Sequence, residues 1–186
     1  MGLRVISGNL KGRKLYTLPG KDIRPTSDRL RESIFNILSS RVSDAVFLDL
    51  FAGTGALGIE ALSRGARFGV FIDKYNHAFD VIKKNIRLCS LDTKSKIIKW
   101  DIGKNLNCLI PVQHMFDMVF MDPPYHQNMV DKALNHLLQS QKLMNNACVI
   151  IEHSPLESIL VNVSGLKAVD QRKYGKSVVS FLQHTF

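Results

Sequence analysis

Residues 49–58 read DLFAGTGALG, and this stretch decides the fold class of the chain. Residues 46–50 before the glycines form a short, mainly apolar run with strand character, whereas the residues after Gly55 have helical spacing. A glycine-rich turn between a strand and a helix allows a ligand to approach the backbone closely. The stretch therefore predicts an α/β protein that binds a ligand just after its first strand.

The same alternation of strand and helix continues along the chain. Buried strands are predicted at 46–50, 69–72, 97–100, 116–121 and 147–151, and helices at 56–64, 76–89 and 128–140. Two final segments, 166–173 and 178–182, have the pattern of a closing hairpin. Repeated strand–helix–strand order favours a mostly parallel, doubly wound sheet, in which ligands bind beyond the carboxyl ends of the strands.

The glycine loop is compatible with two kinds of cofactor. The spacing of Gly53, Gly55 and Gly58, with Asp73 ending the next strand, satisfies the dinucleotide fingerprint and therefore admits an NAD-type cofactor. Asp49 favours the alternative, S-adenosylmethionine, because its negative charge would repel a pyrophosphate but suits the ammonium group of a methionine moiety. In that case Asp73 would bind the ribose hydroxyls.

A third acidic residue, Asp101, follows the third predicted strand. Its carboxylate is suited to accept a hydrogen bond from an adenine amino group, with Trp100 or a neighbouring apolar side chain covering the ring. The alternative is a solvated loop aspartate. Glu152 ends the fifth predicted strand near the same edge, where capping a helix or facing solvent is at least as good an interpretation.

The tetrapeptide Asp122-Pro123-Pro124-Tyr125 follows the fourth predicted strand. Two consecutive prolines fix the backbone and remove two donors, so the loop presents rigid carbonyl groups. If the Asp122 carboxylate and the Pro123 carbonyl accept the N–H groups of an exocyclic base amine, its lone pair can turn toward a methyl donor. Tyr125 is suited to stack on the base. The sequence thus predicts a methyl transfer to an amine, without a metal.

Positive charge is concentrated at the start of the chain. The formal net charge is +9, and residues 1–41 contribute nine basic against three acidic side chains. Residues 3–7 and 13–16 have strand character and predict a hairpin, and a helix capped by Ser27 or Asp28 follows, with Arg29, Arg31 and Glu32 facing solvent or a ligand. Such a basic arm indicates a polyanionic partner or, alternatively, a merely solvated surface.

Composition excludes several classes of protein. At 45% hydrophobic and 22% charged residues, the chain is neither disordered nor collagen-like. Three widely spaced cysteines and six histidines form no ligand pattern, so neither disulfides nor a metal site is predicted. With no apolar run long enough for a signal peptide or a membrane span, we expect a cytoplasmic protein, most simply a monomer.

Longer motifs resemble the bacterial RsmD family. These are RVISG at 4–8 with KGR at 11–13, RPTSDRLRES at 24–33, LDLFAGTGALGIEALSRGA at 48–66, DPPY at 122–125 and KYG at 173–175. The resemblance covers nearly the whole chain and implies a class I (Rossmann-like) methyltransferase with seven strands and an N-terminal hairpin and helix extension. It also implies methylation of guanine N2 in 16S ribosomal RNA, with an assembling small subunit as partner.

The resemblance assigns residues to cofactor binding and catalysis, and the charge of the arm assigns those for RNA binding. Cofactor binding is expected from Asp49, Phe51, Gly53, Gly55, Asp73 and Asp101, and catalysis from residues 122–125. RNA binding is expected from Lys11, Arg13, Arg24, Arg29 and Arg31, although the segment around Arg24 suits the cofactor carboxylate equally well. We expect residues 1–41 to form the RNA-contacting extension and residues 42–186 the methyltransferase domain.

Two other functions fit the same residues. The tetrapeptide at 122–125 also suits an enzyme that methylates adenine N6 in DNA, although the basic arm is small for a DNA target-recognition domain. A non-catalytic RNA-binding assembly factor could keep the fold without the chemistry.

Overall fold

The computed structural model describes residues 2–18, 27–125, 127–157 and 165–185. Within them, seven strands form one sheet: β1 (Val46–Leu50), β2 (Phe68–Asp73), β3 (Ser95–Lys99), β4 (Phe116–Met121), β5 (Leu143–His153), β6 (Leu166–Tyr174) and β7 (Ser177–His184). The helices are α1 (Asp28–Leu38), α2 (Ala56–Ser63), α3 (Asn76–Leu88) and α4 (Met129–Gln139).

The strand order is β3-β2-β1-β4-β5-β7-β6. Neighbouring strands from β3 to β5 pair in parallel, and β7 runs antiparallel to both β5 and β6. The predicted mostly parallel, doubly wound sheet is confirmed. Because the order reverses between β1 and β4, the crevice expected for a ligand lies at the ends of these two strands.

Several strand boundaries differ from prediction by one or more residues, as in β5 and β3. β5 begins at Leu143, four residues before the predicted start, because Leu143 pairs with Phe116 across a register shift despite the polar Asn145 and Asn146 that interrupt its apolar run. β3 ends at Lys99, which leaves Trp100 in the loop beyond the sheet edge. Trp100 is thereby available to the ligand crevice.

Alternate strand residues fill two apolar layers. Phe47, Phe71 and Phe120 pack on the face covered by α1, α2 and α3, whereas the residues between them in the strands pack under α4 and the loop after β3. Cover on both faces explains why the central strands β1, β2 and β4 are buried almost throughout. No helix among the described residues has the length and apolar character needed to cross a membrane.

The N-terminal arm is joined to the body by hydrogen bonds. Its two extended segments pair through the isolated bridge between Arg4 and Lys14, so the predicted hairpin is present but lacks regular strands. The buried Glu60 of α2 accepts hydrogen bonds from the amides of Ile6 at 2.7 Å and Ser7 at 2.9 Å. The division of the chain after residue 41 stays a prediction.

Helix α1 corrects one prediction about the arm. Ser27 caps the helix, as predicted, by accepting a hydrogen bond from the Leu30 amide at 3.2 Å. Arg31, however, does not face solvent: its side chain is fully buried and donates to the Arg4 carbonyl and to Asp28, both at 2.7 Å. The reason is that the extended segment containing Arg4 covers a second side of α1. Helical periodicity does not reveal such a tertiary contact.

Candidate active site

The register of the parallel strands aligns the predicted site residues along one edge of the sheet. Leu50 pairs with Ile72 on one side and with Met121 on the other, and Met121 pairs with Ile151. The residues that follow these partners therefore lie side by side. In spatial order they are Asp73, Phe51, Asp122 and Glu152.

Two aspartates, Asp73 and Asp49, accept hydrogen bonds from backbone amides of the glycine loop. Gly53 donates its amide to Asp73 at 2.9 Å, and Asp73 also accepts from the Tyr75 amide at 3.0 Å. Gly55 caps α2 with φ of +75°, a left-handed conformation that glycine adopts without strain. Phe51 adopts φ of +61° without being glycine, a strained geometry of the kind concentrated at functional sites.

Asp49 lies beneath this loop. It is 3% exposed, and its carboxylate accepts a hydrogen bond from the Gly58 amide in the first turn of α2 at 3.1 Å. Burial raises the pKa of Asp49 to about 7, with the Gly58 bond opposing the rise and the nearby Asp73 adding to it. The carboxylate thus ties β1 to α2, and its predicted contact with a methionine ammonium stays a prediction.

One cavity of about 840 Å³ runs along the sheet edge. A volume of this size lies within the range of cofactor and substrate pockets. Its wall combines the predicted residues Phe51, Gly53, Asp73 and 122–125 with residues from the arm, α3, the loop after β3, α4 and the hairpin between β6 and β7. The structure thus joins the glycine loop and the tetrapeptide in one space. Asp49 and Gly55 support this wall without forming it.

Asp101 lies in a neighbouring cavity of about 460 Å³. Its carboxylate accepts a hydrogen bond from the Gly103 amide at 3.0 Å. Trp100 lines both cavities, and Ile102 lines the main one. The contact predicted between Asp101 and adenine stays a prediction, while an apolar cover for a ring is provided by Trp100 and Ile102.

The tetrapeptide end of the cavity is acidic. Burial, followed by the charges of Glu152 and Asp49, raises the pKa of Asp122 well above its usual range. Tyr125 shares a hydrogen bond with the Ser177 hydroxyl at 2.9 Å and donates a longer one to Glu152 at 3.4 Å. Burial raises the pKa of Tyr125 to about 12, so its hydroxyl stays protonated near neutral pH.

Several residues of the cavity wall were not predicted as site residues. They include Leu18, Leu30, Met129, Glu152, Tyr174, Lys176 and Ser177. Glu152 could have been predicted as a site residue, since an acidic residue at the end of a central parallel strand lies on the edge of the sheet where ligands bind. Tyr174 lies in the motif at 173–175, but Ser177 carried no signal, because only the antiparallel return of β7 beside β5 brings it to the site.

The residues predicted to bind RNA fall into three groups. Lys11, Arg13 and Arg29 are exposed, which suits contact with a polyanion. Arg31 is buried, which removes it from such a surface. Arg24 lies outside the described residues. No cluster of histidine, cysteine, aspartate or glutamate suited to a metal ion occurs in the described part of the chain.

Comparison with known proteins gives consistent matches along the chain. A protein-family model described as "Conserved hypothetical protein 95" matches residues 3–183. A proposed rRNA methyltransferase, YlbH, from Bacillus subtilis is 33% identical over 178 residues, covering 96% of this chain and 97% of that protein. Ribosomal RNA small subunit methyltransferase D from Buchnera aphidicola is 36% identical over 161 residues, covering 84% of this chain and 81% of that protein.

A solved structure extends the similarity to three dimensions. The proposed methyltransferase yhhF from Escherichia coli superposes with a TM-score of 0.85 at 28% identity, covering 98% of this chain and 97% of that one. The sheet described above is therefore the class I methyltransferase sheet, as the sequence predicted.

Proposed function

Because the chain belongs to the RsmD family, we propose that it transfers a methyl group from S-adenosylmethionine to the N2 amine of a guanine in small-subunit ribosomal RNA. The observation that carries the proposal is the single cavity that joins the glycine loop to residues 122–125. A methyl donor and an extruded base need such a shared space, because the transfer is an in-line displacement. Holding two reactants in line can supply about 7–11 kcal/mol of the barrier.

The residues around the glycine loop suit S-adenosylmethionine. Asp73 retains acceptor capacity for ribose hydroxyls beyond its two amide bonds, and Trp100 with Ile102 offers an apolar cover for adenine. Gly53 has no side chain, so a ligand can approach the backbone closely there, and Phe51 lines the same space. When bound, the cofactor supplies the electrophilic methyl group.

Residues 122–125 suit an exocyclic amine. Proline at 123 and 124 removes two backbone donors, which leaves this end of the cavity with acceptors. The Asp122 carboxylate and the Pro123 carbonyl would each accept one N–H of the amine, so that its lone pair points toward the methyl group. After transfer the amine carries a positive charge and loses one proton, which the Asp122 carboxylate can accept or pass to water because its pKa is raised.

Methylation of small-subunit RNA tests the proposal directly. We would incubate the protein with radiolabelled S-adenosylmethionine and small-subunit particles from a strain that lacks its own family enzyme, and then digest the RNA to nucleosides. We expect N2-methylguanosine as the labelled product. Labelled N6-methyladenosine, or the absence of label in the RNA, would contradict the proposal.

The variant Asp122→Ala separates an enzyme from an RNA-binding assembly factor. We expect methylation to fall by at least about 100-fold, since removal of a positioned acceptor in a transition state typically has that effect. Filter binding should show unchanged affinity for RNA, because the predicted RNA contacts lie on the arm. An unchanged methylation rate would show that Asp122 is not needed for catalysis.

A further inference from the structure

Glu152 lies next to the proposed catalytic residue Asp122. Met121 and Ile151 are register partners in the parallel pair β4 and β5, so the residues that follow them come to the same edge side by side. Both side chains line the main cavity. The charge of Glu152 contributes to the raised pKa of Asp122, which shows that the two carboxyl groups interact.

Glu152 is also connected to the loop that would hold the base. Its Oε1 atom lies 3.4 Å from the Tyr125 hydroxyl, which in turn is 2.9 Å from the Ser177 hydroxyl. Tyr125 thereby spans from the tetrapeptide to the end of β5 and the start of β7. A base stacked on Tyr125 would have its edge between Asp122 and Glu152.

Two adjacent carboxylates favour a ligand with adjacent donors. Each ionised carboxylate only accepts hydrogen bonds, and Glu152 keeps acceptor capacity beyond its bond from Tyr125. Two negative charges side by side repel each other, and a ligand that places one donor on each carboxylate offsets this repulsion. A ligand that places a lone pair against either carboxylate is disfavoured, because two acceptors then face each other.

Among the bases with an exocyclic amine, guanine alone satisfies this requirement. The N2 amine of guanine lies beside the ring N1–H, which is a donor. The N6 amine of adenine lies between N1 and N7, and the N4 amine of cytosine lies beside N3; these ring nitrogens carry lone pairs. A second acceptor next to the amine site therefore discriminates guanine from adenine and cytosine.

We propose that Glu152 is the residue that selects guanine, by accepting the N1–H of the base whose N2 amine is held by Asp122 and Pro123. This inference rests on the proposed function and adds the reason for its base specificity. Residues 122–125 alone do not provide that reason, because they contact only the amine.

The test uses a base that keeps the amine and loses the neighbouring donor. In 2-aminopurine the amine at C2 is retained, while N1 carries a lone pair. Once the target position has been mapped by digesting the labelled RNA into defined oligonucleotides, small-subunit RNA would be prepared with either guanine or 2-aminopurine there. Methylation of both RNAs would be measured for the parent protein and for Glu152→Gln, whose amide can donate as well as accept.

We expect the parent protein to prefer guanine by about 10- to 100-fold in kcat/KM, the range for loss of one good base contact. Glu152→Gln should reduce this ratio at least about tenfold, by lowering the rate on guanine and raising it on 2-aminopurine. The matched control is Glu32→Gln, an exposed carboxylate of α1 outside the cavity, which should keep the parent ratio.

The outcomes separate this inference from the proposed function. If the parent protein methylates neither guanine nor 2-aminopurine, the proposed function fails. If it methylates guanine but Glu152→Gln changes both rates by the same factor, Glu152 has only a structural role and the inference is wrong. The melting temperature and the affinity for S-adenosylmethionine, measured on each variant, verify that the compared proteins are folded.

Discussion

At the scale of single residues, the most informative side chain is the buried Asp49. Its carboxylate bonds to the Gly58 amide, and the helix N-terminus favours a negative charge there. Burial nevertheless dominates and raises the pKa of Asp49 to about 7. Asp49 therefore lowers the free energy of unfolding whenever its carboxylate is ionised, although it hydrogen-bonds to the glycine loop.

Asp49 makes stability depend on pH in a defined direction. An unfolded aspartate titrates near pH ~3.9, whereas the native pKa is raised to about 7. Between these values the native state binds more protons than the unfolded state, so stability falls as pH rises. We expect Asp49→Asn to remove this fall and to be more stable than the parent by about 2–4 kcal/mol at pH ~8.

Urea unfolding of both proteins, without cofactor, at a series of pH values tests this expectation. At pH ~3, where the Asp49 carboxyl is largely neutral in both the native and the unfolded state, the two should coincide, and this provides the internal control. The charge of Asp49 also raises the pKa of Asp122, so Asp49→Asn removes this contribution, and the pH profiles of the two proteins differ by both effects in the same direction. Parallel pH profiles with a constant offset would show that Asp49 is not the titrating group.

At the scale of elements, the junction of β1 and α2 depends on close packing as well as on hydrogen bonds. A Cβ atom on Gly58 would come within 2.3 Å of the Phe71 ring and 2.7 Å of the Phe47 ring. Both rings are fully buried and contact each other edge to face at 5.5 Å. The third glycine of the loop therefore brings the helix onto the sheet, and the first two shape the turn.

We expect Gly58→Ala to destabilise the protein by about 1–3 kcal/mol, although alanine gains up to about 1 kcal/mol in helix propensity. The steric clash should outweigh the gain in helix propensity, because neither phenyl ring can move into free space. Displacement of α2 should also weaken binding of S-adenosylmethionine, which calorimetric titration measures.

Gly12→Ala is the matched control for this substitution. Gly12 has φ of +82° but no atom within 4 Å of a new Cβ, so it reports backbone strain without crowding. Gly12→Ala should lower the free energy of unfolding by about 1–2 kcal/mol and leave the affinity for S-adenosylmethionine unchanged. Equal loss of cofactor affinity in both variants would show that the effect at Gly58 is not local.

Elements were predictable from the sequence where their pattern is local. The strand and helix order followed from apolar runs and caps, and Ser27 was identified because a cap acts within one helical turn. Arg31 was assigned to the wrong environment because its partner, the Arg4 carbonyl, lies 27 residues earlier. Ser177 was missed for the same reason, since its contact with Tyr125 spans 52 residues.

At the scale of the whole molecule, charge is divided between two regions. The arm and α1 present the exposed cations Lys11, Arg13 and Arg29, whereas the proposed base site is formed by Asp122 and Glu152. A polyanion would be attracted by the first region and repelled by the second. We therefore propose that the arm holds RNA while an uncharged base edge alone enters the acidic cavity.

Two arginines of α1, two residues apart, test this division. Arg29 is exposed and Arg31 is fully buried, so Arg29→Met and Arg31→Met remove the same charge from different environments. We expect Arg29→Met to reduce the slope of log affinity for RNA against log salt by about 0.7–0.9, the release of one ion, with little change in stability. Arg31→Met should lose about 1–3 kcal/mol of stability, because it removes the buried donor to the Arg4 carbonyl and to Asp28, whereas Asp28 keeps its ion pair with Arg4 and Glu60 keeps its own with Arg64.

Filter binding across about 50–200 mM salt and urea unfolding of both variants give the two readouts. The RNA slope of folded Arg31→Met should equal that of the parent protein. If Arg29→Met leaves the slope unchanged, Arg29 does not contact phosphate and the arm must hold RNA through other cations. If Arg31→Met reduces the slope as well, the helix must turn its buried face toward RNA when the complex forms, and the arm cannot stay docked as it is in the free protein.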